Sequence, residues 1–183
     1  MKEENTNQIL LAEVQPGKTF NTEIGTFIVL EHTEEGTKVI TKDLFKEWQR
    51  FGSSPDYKES HVKELCDGEI FDAFESVFSA ENIVEHEVDL ITVDMQQDYG
   101  KTNCRVRPLT FDESRQYNEY LVNPELTDWW WTCTPWSTPK RGWKWSVAVV
   151  ASSGDFDISF YVNYYGVRPF CILKSNIFVS KGE

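Results

Sequence analysis

The sequence predicts an α+β domain, and three observations carry that expectation. Short strand-like segments separated by glycine-containing turns open the chain, helical spacing fills Glu59 to Phe78, and alternating apolar residues mark strands near its end. With 183 residues the chain is long enough to bury a core without covalent staples, so residues 1–183 read as one domain. No apolar run approaches the roughly 18 residues needed for a membrane-spanning helix.

In order, VQPGKTF, IGTFIVLEHT and GTKVITKDLF read as an N-terminal β-hairpin extended into a meander, with Phe27, Val29, Val39 and Ile40 apolar. FGSSPDY is a loop. From Glu59 to Phe78 the apolar residues Val62, Leu65, Ile70, Phe71, Phe74, Val77 and Phe78 recur at helical spacing. Ser60 is an N-cap candidate, and Gly68 is expected to divide the stretch into two short helices. AENIVEHEVDLITVDM alternates as an edge strand would and leads to the loop DYGKTN. RVRPLTFDESRQY reads as a short strand and then a helix starting at Thr110, with Asp112 and Glu113 in a first turn that favours negative charge.

After the loop VNPELTD comes WWWTCTPW, with four of the seven tryptophans in eight positions. On an extended strand Trp129 and Trp131 share one face and Trp130 takes the other, so the three indoles cannot do one job. Trp129 and Trp131 are expected in the core, and Trp136, beside Pro135, is the best exposed candidate. WKWSVAVVA and FDISFYVNY, joined by the turn SSGD, form a C-terminal antiparallel hairpin. Its expected dry face carries Trp143, Trp145, Val147 and Val149, then Phe156, Ile158, Phe160, Val162 and Tyr164. GVRPFCIL is the closing strand, with Arg168 expected to lock it against carboxylate or carbonyl oxygens.

Charge is the outlier. The net charge is −12, and residues 1–100 carry 22 acids against 8 bases while residues 101–183 carry 8 against 10. The chain thus divides into an acidic half and a nearly neutral, Trp-rich β-half. Between Glu64 and Gly100 eleven acids occur without a single Lys or Arg. Such a field repels nucleic acid and attracts basic surfaces. Glu64, Asp67, Glu69, Asp72, Glu75, Glu81, Glu85, Glu87 and Asp89 are therefore the candidate partner-binding residues, together with Trp136. Cys66, Cys104, Cys133 and Cys171 are widely spaced, with no CxxC pair, and read as reduced, mostly buried thiols. The start MKEENTNQILLAE has acids where a signal peptide has bases, which predicts a cytoplasmic protein.

WWWTCTPW and YYGVRPFCIL, separated by a hairpin, resemble the paired WWLRSP-like and GVRPAL-like signatures of an uncharacterised domain family common in phages and gut anaerobes. GTFIVLE with GTKVITKDLF, ESHVKELCDGEIFDAF and LTFDESRQY resemble the family's first hairpin, helical middle and helix start, so the resemblance spans nearly the whole chain. It implies a C-type-lectin-like fold and a phage or mobile-element origin in a bacterial host. Trp131 to Thr134 stand where the family has Leu-Arg-Ser, so that arginine is absent.

No catalytic constellation is legible. His32, His61 and His86 are scattered, and no Walker loop, HExxH or GxSxG occurs. Formylglycine-generating enzymes share the implied fold but need a close cysteine pair, which would require Cys133 and Cys171 to meet. Asp155 and Asp157 offer too few oxygens for calcium. No metal or cofactor is expected. The function that follows is a non-enzymatic acidic inhibitor binding a nucleic-acid-handling host protein, most concretely an anti-CRISPR blocking a Cas9-type effector. A lectin-like domain binding a glycan or peptide through Trp136, Trp143 and Trp145 is the alternative.

Overall fold

The computed structural model describes residues 7–183. Its first strands are β1 (Gln8–Leu10), β2 (Thr19–Thr22), β3 (Gly25–His32), β4 (Thr37–Thr41), β5 (Lys46–Arg50), β6 (His86–Asp89) and β7 (Lys101–Cys104). The remainder are β8 (Val106–Arg107), β9 (Trp130–Pro135), β10 (Ser146–Val150), β11 (Phe156–Phe160), β12 (Tyr164–Val167), β13 (Phe170–Leu173) and β14 (Phe178–Lys181). One sheet runs β1-β14-β2-β3-β4-β13-β8, a second runs β11-β10-β9-β12-β5, and β6 pairs with β7 alone. Neighbours are antiparallel except β12 and β9, which run parallel. The chain is α+β, as the sequence predicts.

The expected helical stretch spans 18 residues as two short helices, α1 (His61–Leu65) and α2 (Phe71–Phe78), joined by a kinked, wide π-type turn (Cys66–Ile70). Ser60 caps it, its Oγ accepting from Lys63 N at 3.0 Å. Gly68 divides it as expected: its backbone leaves helical angles (φ −103°, ψ −106°), and two short helices meet across a kink there. The helix start at Thr110 is also present: α3 (Phe111–Gln116) begins with a capping box in which Thr110 Oγ1 accepts from Glu113 N and Glu113 Oε1 accepts from Thr110 N. A short α4 (Asn118–Leu121) follows.

Two apolar clusters hold these parts together. The larger gathers Phe20, Phe27, Val29, Val39 and Cys171 from the first sheet with Val62, Cys66, Ile70, Phe74 and Phe78 of the helical run. Trp131, Cys133, Val147, Val149 and Val167 join it from the second sheet. Phe27 meets Phe74 and Phe78 edge-on, at 5.3 and 5.2 Å between ring centres. The smaller cluster uses the opposite faces: Ile28, Leu30, Ile40, Phe170 and Ile172 with Trp130 and Val150, covered by Tyr117, between α3 and α4, and Leu121 of α4.

The closing segment departs from expectation. GVRPFCIL is not one strand, because β12 lies in the second sheet and β13 in the first, with Arg168 and Pro169 at the crossing. The chain also crosses between β4 and β5, and the two crossings run side by side, with Thr41 N donating to Pro169 O (3.1 Å) and Phe45 N to Val167 O (2.9 Å). Arg168 is fully buried there and donates to the carbonyls of Thr41 (2.9 Å), Lys42 (2.8 Å) and Leu121 (2.8 Å), its guanidinium 5.5 Å from the centre of the Trp130 ring. Gly166 leaves room beside it for Leu44, whose Cδ1 would lie 2.6 Å from a Cβ at this position. β14 then follows as a further strand, unforeseen from sequence.

Candidate functional site

All nine candidate acids, Glu64, Asp67, Glu69, Asp72, Glu75, Glu81, Glu85, Glu87 and Asp89, are exposed. The amphipathic helical run explains the first five, because the residues between them at helical spacing, Val62, Cys66, Ile70, Phe74 and Phe78, are consumed by the core. Glu87 and Asp89 project from β6, whose Val88 turns inward. Three acids are paired: Asp67 with Lys63 at 2.7 Å, Glu69 with Lys46 at 3.0 Å and Glu87 with Lys101 at 3.4 Å. Among the described residues Glu64 meets only His61, at 3.8 Å. Among the described residues, Asp72, Glu75, Glu81, Glu85 and Asp89 form no ion pair.

The tryptophans divide differently from expectation. Trp130 and Trp131 are both fully buried, because β9 lies inside the second sheet and each of its faces meets one of the two clusters. Trp131 Nε1 donates to Gln49 O at 2.8 Å, while Trp129 is partly buried against the larger cluster. Trp136, expected as the exposed indole, is half-buried. The exposed ones are Trp48, at 72%, and Trp143 and Trp145, each at 42%. The expected dry face of the last hairpin is corrected too. β10 is wholly buried, but Phe156 and Phe160 are exposed on β11, the edge of its sheet, where Phe111 of α3 lies 5.1 Å from Phe156, and Val162 and Tyr164 beyond it are exposed as well.

Sequence reasoning missed Trp48 altogether. The signal was present in KEWQR, where an indole stands alone among Lys46, Glu47, Gln49 and Arg50, a composition that gives it no apolar company in the core. It also gave no chemistry to Arg107, which is buried and doubly paired with Glu113, Nη1 to Oε1 at 2.7 Å and Nη2 to Oε2 at 3.0 Å. Arg107 Nε donates to His86 Nε2 at 2.9 Å, which places the His86 proton on Nδ1, facing Val84 O at 3.1 Å. Although burial opposes its charge, the Arg107 guanidinium and the Thr110 cap hold Glu113 down at about 2. Burial, with Arg107 alongside, lowers His86. This network clamps β8 to the start of α3 and is structural in character.

The four cysteines are free and buried. Burial pushes Cys133 up to about 12 and raises Cys66, Cys104 and Cys171 as well, the opposite of an activated thiolate. Among the described residues no group of three or more His, Cys, Asp or Glu side chains converges as metal ligands would. No described helix is long and apolar enough to cross a membrane.

Fold and site together define an α+β protein of two packed sheets bearing an acid-rich helical flank. Comparison with protein-family models, curated proteins and solved structures found no match to the chain.

Proposed function

We propose that the protein is a non-enzymatic inhibitor of phage or mobile-element origin that acts in the cytoplasm of a bacterial host. It binds a nucleic-acid-handling protein through its acid-rich flank, and a Cas9-type effector is the concrete target. The C-type-lectin-like architecture implied by the WWWTCTPW and YYGVRPFCIL signatures belongs to the same reading. The observation that carries it is the exposure of all nine acids along one helical run and the segment after it, most of them without a Lys or Arg partner. Carboxylates in that state keep their field for a partner, and a channel built to hold a phosphate backbone is the complementary surface.

The test is inhibition of target cleavage by a guide-loaded Cas9-type nuclease over a salt series. Binding weakens as salt rises, since exposed charges are screened over about 8 Å at physiological ionic strength. Replacing Asp72, Glu75, Glu81 and Glu85 together with Ala abolishes inhibition and leaves the melting temperature nearly unchanged, because solvated charges contribute little to stability. A salt-insensitive complex that survives the quadruple change would falsify the mimicry. The lectin-like reading is favoured by one observation, the exposed Trp143 and Trp145 set edge to face at 6.4 Å. It predicts that the quadruple variant keeps its binding and that Trp143→Ala with Trp145→Ala loses it.

A further inference from the structure

Strand β5 pairs with β12 through Gln49 opposite Tyr165 and then Lys46 opposite Val167. Two residues, Glu47 and Trp48, therefore stand against Gly166 alone. Trp48 sits in this β-bulge with a left-handed backbone, φ +52°. A left-handed bulge position suits glycine, and a bulge by itself protects an edge strand from unwanted pairing. A tryptophan there carries backbone strain, yet its indole is 72% exposed. Neither local geometry nor burial accounts for the residue.

Its surroundings do. The Trp48 ring lies 5.9 Å from Tyr164, tilted by 33°, and the two aromatics wall a cleft of about 390 Å³. The cleft is also lined by Arg50, Glu59, His61 and Glu64. Arg50 is already placed, its guanidinium 5.6 Å from the centre of the Tyr164 ring. His61 Nε2 is engaged with Gln49 Oε1 at 3.0 Å. Two carboxylates remain. Among the described residues Glu59 makes no ion pair, and Glu64, its side chain 80% exposed, has only His61 near it. The cleft thus presents an open indole face beside two carboxylates, at the start of the acid-rich run.

We propose that this cleft is an anchor site for an arginine side chain of the basic partner, stacked on Trp48 and held by Glu59 and Glu64. The proposal rests on the reading of the protein as a binder of basic surfaces and adds the residue contact that fixes its register. Indole is the strongest of the aromatic acceptors for a cation, and a guanidinium combines that stacking with a flat fork for carboxylates. A neutral sugar can stack on the same wall but leaves both carboxylates unmatched. Tryptophan and arginine are also the side chains that dominate interface energetics, which suits a single strained, exposed indole.

The experiment is an NMR titration of the full chain with three probes, the blocked peptides Gly-Gly-Arg-Gly-Gly and Gly-Gly-Lys-Gly-Gly and the sugar chitotriose. The Trp48 indole N–H resonance is identified as the one missing from Trp48→Gly, a variant that suits the left-handed backbone. The arginine peptide is expected to shift that resonance saturably, binding at least about threefold more tightly than the lysine peptide. Glu59→Gln with Glu64→Gln weakens it by about tenfold or more. The Asp72, Glu75, Glu81 and Glu85 variant keeps the peptide site even though it loses inhibition, so failure of the cleft and failure of charge mimicry are separable. A saturable shift with chitotriose and none with the arginine peptide overturns the assignment in favour of a saccharide subsite. Absence of a saturable shift with any probe, or arginine binding unchanged by the double glutamine substitution, overturns it outright.

Discussion

Replacing Arg168 with lysine tests how the two sheets are joined. The guanidinium has no exposure and donates three hydrogen bonds to carbonyls at 2.8–2.9 Å, from the end of β4 and the end of α4. Burial pulls it down to about 10, with Asp43 opposing, so it carries its charge at neutral pH. Lysine keeps the charge but concentrates it on one nitrogen, which cannot span carbonyls placed for a planar fork. One or two buried carbonyls are then left without a donor, at about 1–3 kcal/mol each, so the expected loss is about 2–4 kcal/mol. For a chain of this size that lowers the melting temperature by about 5–15 °C, read by far-UV circular dichroism or calorimetry. Arg168→Ala removes all three donors and opens a cavity under Trp130, and is expected to prevent folding. A lysine variant melting within about 2 °C of the parent refutes the reasoning, because on this scale it shows the carbonyls satisfied without the fork.

Acidification should destabilise the protein in two stages. His86, lowered by burial, must take up a proton on unfolding once the pH drops below 6.5. Glu113 is held at about 2 against an ordinary 4.5, so it contributes about 3 kcal/mol that is present above pH 4.5 and lost as the pH falls toward 2. Urea unfolding at several pH values checks this, and Glu113→Gln should flatten the acid limb. Trp130→Ala and Trp131→Ala should each cost about 3–5 kcal/mol in the same assay, whereas half-buried Trp136→Ala should cost distinctly less. Thiol labelling should find the native protein unreactive and four free thiols after denaturation, with no change on adding reductant.

Periodicity made the meander, the helical run and the capped start of α3 legible, because each buries a regular stripe or carries a cap with its own chemistry. Strand β5 was not legible, since Lys46 to Arg50 is a polar edge strand with little to bury. The split of GVRPFCIL was hidden because its residues are apolar on both sides of the crossing, whereas the locking of Arg168 on carbonyl oxygens was foreseen from the chemistry of its guanidinium. Alternation also gave β11 the right period but the wrong side, for a period says which residues share a face and not which face is covered. The acids of the candidate site were legible as composition. Trp48 owes its position to a register shift set by β12, more than 110 residues away in sequence.

The order β1-β14-β2 in the first sheet, with β13 between β4 and β8, has a consequence for synthesis of the protein. β14 stands between β1 and β2, and β13 joins β4 to β8, so the ribosome must deliver residues 170–181 before the sheet supporting the acidic flank can close. Until then Phe74 and Phe78 of α2 have only an unfinished surface beneath them, and such long-range pairing folds slowly. A fragment carrying residues 1–100 would hold all nine candidate acids but only part of their platform, lacking β7 to β14, and so could not present them as the whole protein does.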